Sequence, residues 1–127
     1  EYIMKKEIVT EKSPKAIGPY SQGININDLI FVSGQIPVNA ETGEVPATIK
    51  EQTTQVLKNI AYILESQGAD LSNVVKTTVF IKNMNDFTEM NQVYESFFVK
   101  PYPARSTVEV ARLPKDVLVE IEVIASK

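Results

Sequence analysis

Residues 74–82 read VVKTTVFIK, and the β-branched and aromatic side chains of this stretch predict a strand. Val75, Thr77, Val79 and Ile81 would share one face, and Val74, Lys76, Thr78, Phe80 and Lys82 the other. On both sides of it the spacing becomes helical. Upstream, from Thr48, the apolar residues Ile49, Val56, Ile60, Ile63 and Leu64 recur at helical intervals, with Leu57 and Ala61 on the flanks. Gly68 stands where such a helix would end, which predicts a segment of about twenty residues. Downstream, Asn85 and Asp86 offer N-caps, and Asp86 with Glu89 has the spacing of a capping box. Phe87, Met90, Tyr94, Phe97 and Phe98 then form the apolar stripe of a second helix that runs to about Phe98.

Further out the pattern returns to short strands. Lys6 to Thr10 is a candidate, followed by the turn-rich stretch containing Ser13, Pro14, Gly18 and Pro19. Ile24 to Ile26 and Leu29 to Ser33 are two strands joined at Asn27 and Asp28, a hairpin signal. Asn39 to Pro46, with Gly43, is a loop. After Pro101 and Pro103, the segments Ser106 to Arg112 and Val117 to Ala125 close the chain, separated by Leu113 to Asp116. The order ββ(β)αβαββ gives a two-layer α+β domain, with two helices on one face of a mixed sheet. None of the seven prolines falls inside the helices or the late strands. No repeat or linker divides residues 1–127, and the 43% hydrophobic content suits one core that hides roughly two-thirds of the unfolded surface.

The second face of that sheet poses a problem. Val117, Val119, Ile121, Val123 and Ala125 alternate with Leu118, Glu120, Glu122 and Ile124, and only one set can meet the helices. The first set is the better core. The second mixes apolar residues with carboxylates, and in the neighbouring candidate strand Val108 and Val110 alternate with Thr107 and Glu109. With both helices already used, a symmetric copy of the chain is the expected cover, so a homo-oligomer is predicted.

Composition removes several function classes. With no cysteine and no histidine, disulfides, thiol nucleophiles, serine–histidine triads and most zinc sites are excluded. Sixteen acidic against thirteen basic residues give a net charge of −3, with the basic residues scattered, so no nucleic-acid-binding face is indicated. The longest apolar stretch, from Val117 to Ala125, is too short and too charged to span a membrane. Glu1 to Ile8 carries charge and no apolar h-region, unlike a secretory signal, and both Glu1 and Met4 stand as candidate natural starts. The missing cysteine fits a reducing, cytoplasmic compartment.

Three segments carry candidate chemistry. IGPYSQG (17–23) and FVSGQIP (31–37) place Ser33 and Gly34 where a strand ends, open to a ligand approaching the backbone or serving simply as turn or bulge chemistry. PARSTVEVARLPKD (103–116) sets Arg105 between a proline-containing loop and a strand. Its planar fork matches a carboxylate, although a surface or structural ion pair is the alternative. Arg112 reads as a structural or rim charge. Glu120 and Glu122, two apart on one strand face, would raise one another's proton affinity if covered, which suits a proton-shuttling or water-orienting group. Alternatively both lie on a solvated edge. Asn91 is either a buried polar contact or a flank of the second helix's stripe, and Phe87 reads as core.

IGPYSQG, SGQIP, VKTTVFIK, NDF and PARSTVEVARLPKD, in this order across nearly the whole chain, closely resemble the RidA (YjgF) family of enamine/imine deaminases. The resemblance implies a chorismate-mutase-like α+β fold and a homotrimer whose sheets form a central β-barrel, with three sites in the clefts between subunits. It implies that Arg105 clamps a substrate carboxylate, that Ser33 and the Gly34 backbone assist, that Tyr20 lines the pocket and that Glu120 holds the attacking water. Phe87 and Asn91 would come from the adjacent subunit. Thr107, at a substrate-pocket position, replaces the cysteine common in the family, which leaves imine hydrolysis possible because that reaction needs no thiol. The implied substrates are small imino acids such as 2-iminopropanoate and 2-iminobutanoate, handled without metal or organic cofactor.

Overall fold

The computed structural model describes residues 4–127, and the first three residues lie outside it. The strands are β1 (Lys6–Ile8), β2 (Gly23–Ile26), β3 (Leu29–Gln35), β4 (Val74–Ile81), β5 (Ala104–Glu109) and β6 (Val119–Ser126). The helices are α1 (Ile49–Glu65) and α2 (Phe87–Phe97). The strands form one sheet in the order β1-β2-β3-β6-β4-β5. Only β4 and β5 pair in parallel, as a strand–helix–strand crossover through α2 requires. The expected mixed sheet and element order are therefore present.

Each helix forms for a local reason. The Thr48 hydroxyl accepts from the Glu51 amide at 3.1 Å and caps α1. Past its C-terminal end, Gly68 adopts a φ of +73°, a conformation that favours glycine. Ahead of α2 the cap differs from the one expected. A 3₁₀ turn at Met84–Asp86 is capped by the Asn83 side chain, while Asp86 makes no side-chain capping bond. The turn takes over the role because Asn83 Oδ1 reaches the Asn85 amide at 2.8 Å.

The last strand alternates as the sequence predicts. Val119, Ile121, Val123 and Ala125 are buried, joining Val56, Ile60, Ile63, Ile81 and Met90 in the core between sheet and helices, and Val117, just ahead of the strand, is buried as well. Two registers depart from simple alternation. A bulge between Val74 and Lys76 puts Val74, not Val75, on the core side with Thr77, Val79 and Ile81, and leaves Val75 49% exposed. In β3, Val32 pairs with Val123 and Gln35 with Ile121, so three steps on one strand oppose two on the other. Ser33 and Gly34 thus sit where the strand ends, as expected, in a bulge just ahead of its last residue, Gln35. The segment around Thr107 does not neighbour β6, because β4 lies between them.

The face away from the helices is open. Its rows run Ile24–Phe31–Ile124–Lys76–Ala104, then Glu122–Thr78–Ser106, then Glu120–Phe80–Val108. Phe31 and Val108 are 40% and 45% exposed there, on β3 and β5 at opposite sides of the face, so large apolar side chains meet solvent at both ends of it.

Candidate active site

Arg105 lies in β5 beside Thr77 of β4, and Thr77 is paired with Val123 of β6. Residues opposite one another in a sheet point to the same side, so Arg105 faces the helix layer. There it meets α2. Its Nη1 donates to Asn91 Oδ1 at 2.7 Å, and its guanidinium carbon stands 4.7 Å from the Tyr94 ring centre and 5.5 Å from that of Phe87. Phe87, Asn91 and Tyr94 follow the i, i+4, i+7 spacing of one helix face, which explains why all three reach one cation. The only ion pair among the described residues is Arg112–Asp116, an exposed pair, so no described carboxylate neutralises Arg105. The guanidinium borders a cleft of about 370 Å³ lined by Asn91, Tyr94, Glu95, Tyr102, Pro103 and Arg105.

Two nearby hydroxyls behave differently. Tyr94 is 5% exposed and its hydroxyl pairs with Thr77 Oγ1 at 2.8 Å. Burial pushes its phenol up, opposed by the Thr77 bond and the Arg105 charge. Thr107 lies two residues beyond Arg105 on the same strand face, and its Oγ1 is buried without a hydrogen-bond partner. An orphaned buried hydroxyl costs about 1–3 kcal/mol, so a bound polar group at that atom would relieve it.

Glu120 belongs to the other side of the sheet. It pairs with Phe80 of β4 and stands in the row that includes Val108. Partial burial raises its proton affinity, and the Glu122 charge on the same face adds to the effect. The bulge in β3 makes room for it. A side-chain carbon on Gly34 would collide with Glu120 Oε2 and come within 2.9 Å of its Cδ, so the absence of a side chain at position 34 lets the carboxyl lie against the backbone. Ser33 is tied to the preceding loop. Its amide donates to the Gln22 carbonyl at 2.9 Å and its hydroxyl to the Ser21 carbonyl at 2.5 Å. Tyr20, 53% exposed, shares one hollow with Ser33 and another, of about 600 Å³, with Gly34, Ile17 and Lys115.

The loop carrying Tyr20 is pinned by one buried side chain. Gln22 accepts from the Thr10 amide at 2.8 Å and donates to the carbonyls of Thr10, Ser13 and Pro14. From the opposite side, Asn59 of α1 donates to the carbonyls of Ile36 and Val38. Backbone groups without strand partners are satisfied in this way, so irregular chain can line a site without fraying.

The candidate residues thus fall into two groups. Arg105, Phe87, Asn91 and Thr107 occupy the helix side at the β5 edge. Tyr20, Ser33, Gly34 and Glu120 gather around the bulge and the open face. Phe87 and Asn91, expected to approach from an adjacent subunit, touch Arg105 of their own chain, because the β4–α2–β5 crossover brings helix and strand together. Sequence reading missed Tyr94, which it assigned to the core stripe alone. Its position one turn beyond Asn91 was the available signal.

Comparison with known proteins covers almost all of the chain. The sequence profile of the endoribonuclease L-PSP family matches residues 10–127. A RutC family protein of Pyrococcus abyssi is 58% identical over 126 residues, 98% of this chain and 99% of that protein. A 2-iminobutanoate/2-iminopropanoate deaminase of Escherichia coli K12 is 54% identical over 125 residues, 96% of this chain and 98% of its own. Among solved structures, the E. coli YjgF gene product superposes with a TM-score of 0.92 at 54% identity, covering 96% of this chain and 98% of that one. E. coli TdcF with bound serine does so with a TM-score of 0.92 at 47% identity and the same coverage.

Proposed function

This chain belongs to the endoribonuclease L-PSP (RidA/YjgF) family, and from that premise we propose that it hydrolyses 2-imino acids, among them 2-iminopropanoate and 2-iminobutanoate, to 2-keto acids and ammonia. The observation that carries the reading is the Arg105 guanidinium. It is held by Asn91 and two rings, faces a cleft and forms no ion pair with a described carboxylate. Such a fork binds a carboxylate through two parallel charge-assisted bonds, each worth about 1.5–3 kcal/mol.

The chemistry asks little more. A protonated imine carbon is already electrophilic, so the reaction requires an oriented water and a path for protons. Glu120 in its carboxylate form accepts a proton from that water as oxygen adds to the C=N carbon. The proton then passes to nitrogen, the C–N bond breaks as Glu120 takes the hydroxyl proton and the C=O bond forms, and the departing ammonia takes up that proton, so that iminium plus water gives keto acid plus ammonium. Positioned proton transfer of this kind typically contributes roughly 10² to 10⁴ in rate. On this reading Tyr20, Ser33 and the Gly34 backbone form the opposite wall, and the unpaired Thr107 hydroxyl, two residues along the strand from Arg105, supports the polar lining. Chemistry of this type needs no metal or organic cofactor.

Arg105 and Glu120 point to opposite sides of one sheet, so a complete site takes the anchor of one chain and the carboxylate of another. A homotrimer with its sheets facing inward as a barrel and its sites between subunits accounts for this, and also for the exposed Phe31 and Val108. A second reading, a small-carboxylate-binding regulator without turnover, draws support from the serine bound to E. coli TdcF. RNA cleavage fits poorly with the absence of histidine and the net charge of −3.

The test generates 2-aminoacrylate in situ and follows pyruvate and ammonia. The protein should accelerate both, and Arg105→Ala should not. Equal rates with the two proteins would end the enzymatic reading, and saturable pyruvate binding without turnover would favour the regulator.

A further inference from the structure

We infer that Tyr94, fixed in place by Thr77, is a positioning residue that sets the direction in which the Arg105 fork opens. This role rests on the carboxylate-anchoring reading of Arg105 given above.

A half-buried arginine has no fixed direction of its own. A guanidinium on a long, flexible stem has many rotamers, and fixing it for one ligand geometry costs side-chain entropy unless the protein has already done so. Asn91 supplies a single hydrogen bond, at Nη1. One bond fixes a distance but leaves the plane of the group free to turn. Ring faces restrict that plane, and of the two rings in reach Tyr94 is the nearer, at 4.7 Å against 5.5 Å for Phe87.

Tyr94 is itself immobilised from two sides. Its ring packs against Phe98 with centroids 4.6 Å apart, and its hydroxyl pairs with Thr77 at 2.8 Å. Thr77 is fully buried and is the β4 residue directly beside Arg105. Sheet and helix therefore hold the arginine jointly: Thr77 sets Tyr94 against β4, and Tyr94 sets Arg105 against α2. A phenylalanine at 94 would keep the ring face and lose the Thr77 bond. An aliphatic residue would lose both.

The experiment compares Tyr94→Phe, Tyr94→Leu and Thr77→Val with the unchanged protein. Turnover of 2-iminopropanoate is resolved into kcat and KM, and the ¹⁵Nε–¹H signal of Arg105 is recorded by NMR with and without pyruvate. Tyr94→Leu should raise KM about tenfold with kcat changed less than twofold, the range of one desolvated cation–π contact. It should also broaden the Arg105 signal. Tyr94→Phe and Thr77→Val, which lose the same bond and keep the ring, should each raise KM about threefold and broaden the signal less than Tyr94→Leu does.

An unaltered Arg105 signal and KM in a folded Tyr94→Leu protein would overturn the inference, as would an equal drop in kcat across all three variants. If the unchanged protein turns over no imine while the Arg105 signal still broadens in Tyr94→Leu, the positioning role stands and the proposed function falls. The NMR readout separates the two.

Discussion

The two sides of the central sheet are built to different degrees of completion. On the helix side, Arg105 is surrounded within its own chain by Phe87, Asn91 and Tyr94, and its anchor is finished before any partner arrives. On the open side, Glu120 has the backbone of Gly34 beneath it and Glu122 beside it, and its raised proton affinity is set by partial burial and a like charge. On the proposed function, the difference is a division of labour. Recognition of a carboxylate needs a rigid fork, which one chain can supply. Activation of water needs a sheltered carboxylate, which this chain shelters only in part.

That contrast can be broken most directly at its two poles. Arg105→Ala should lower kcat/KM for 2-iminopropanoate about 10²- to 10⁴-fold, because two charge-assisted bonds are lost. Arg105→Lys should recover little, since a point charge cannot fork. Glu120→Gln should lower kcat about 10²- to 10³-fold with a smaller change in KM, as loss of a proton acceptor does. Mixing the Arg105→Ala and Glu120→Gln proteins after reversible unfolding sharpens the comparison. If one chain's arginine works with another's carboxylate, random assembly should restore about a quarter of the unchanged activity. No recovery would place both groups of a working site in one chain.

Smaller effects probe the open side alone. Gly34→Ala should cost about ten- to a hundredfold in kcat by pushing the Glu120 carboxyl away, while carboxylate binding measured with pyruvate stays nearly unchanged. The acidic limb of the kcat profile should follow Glu120, with activity falling as the pH drops through its raised value and the carboxyl takes up a proton. Glu122→Gln removes the second cause of that shift and should move the limb to lower pH. The same linkage has a sign for stability. A carboxyl whose folded-state value is raised stabilises the fold when protonated and loses that contribution as the pH rises through the folded value. Glu120→Gln should therefore melt slightly higher than the unchanged protein at neutral pH, and the gap should close below the ordinary carboxylate range.

Much of this was readable from residue order. The strand at 74–82, the two helices and the alternation from Val117 to Ala125 follow from periodicity, because a helix or strand with one apolar face has one way to bury it. Asn27 at the β2–β3 turn has a φ of +53°, a backbone state asparagine tolerates, so the hairpin was legible too. The bulges were not. Whether Val74 or Val75 faces the core depends on one extra residue in the pairing with β6, and both are valines. Nor does spacing reveal that Asn83 rather than Asp86 caps the approach to α2, since both are good capping residues within one turn.

The sequence by itself determined the class of fold, the excluded chemistries and the residue types available for a carboxylate and a water, since periodicity and composition are properties of the chain taken in order. Only the tertiary structure decided which of those residues meet. The β4–α2–β5 crossover, not any motif, brings Asn91, Phe87 and Tyr94 onto Arg105, and strand pairing turns Glu120 to the opposite face. The reason is geometric: side-chain direction follows from register and packing between segments far apart in sequence, which no local pattern encodes.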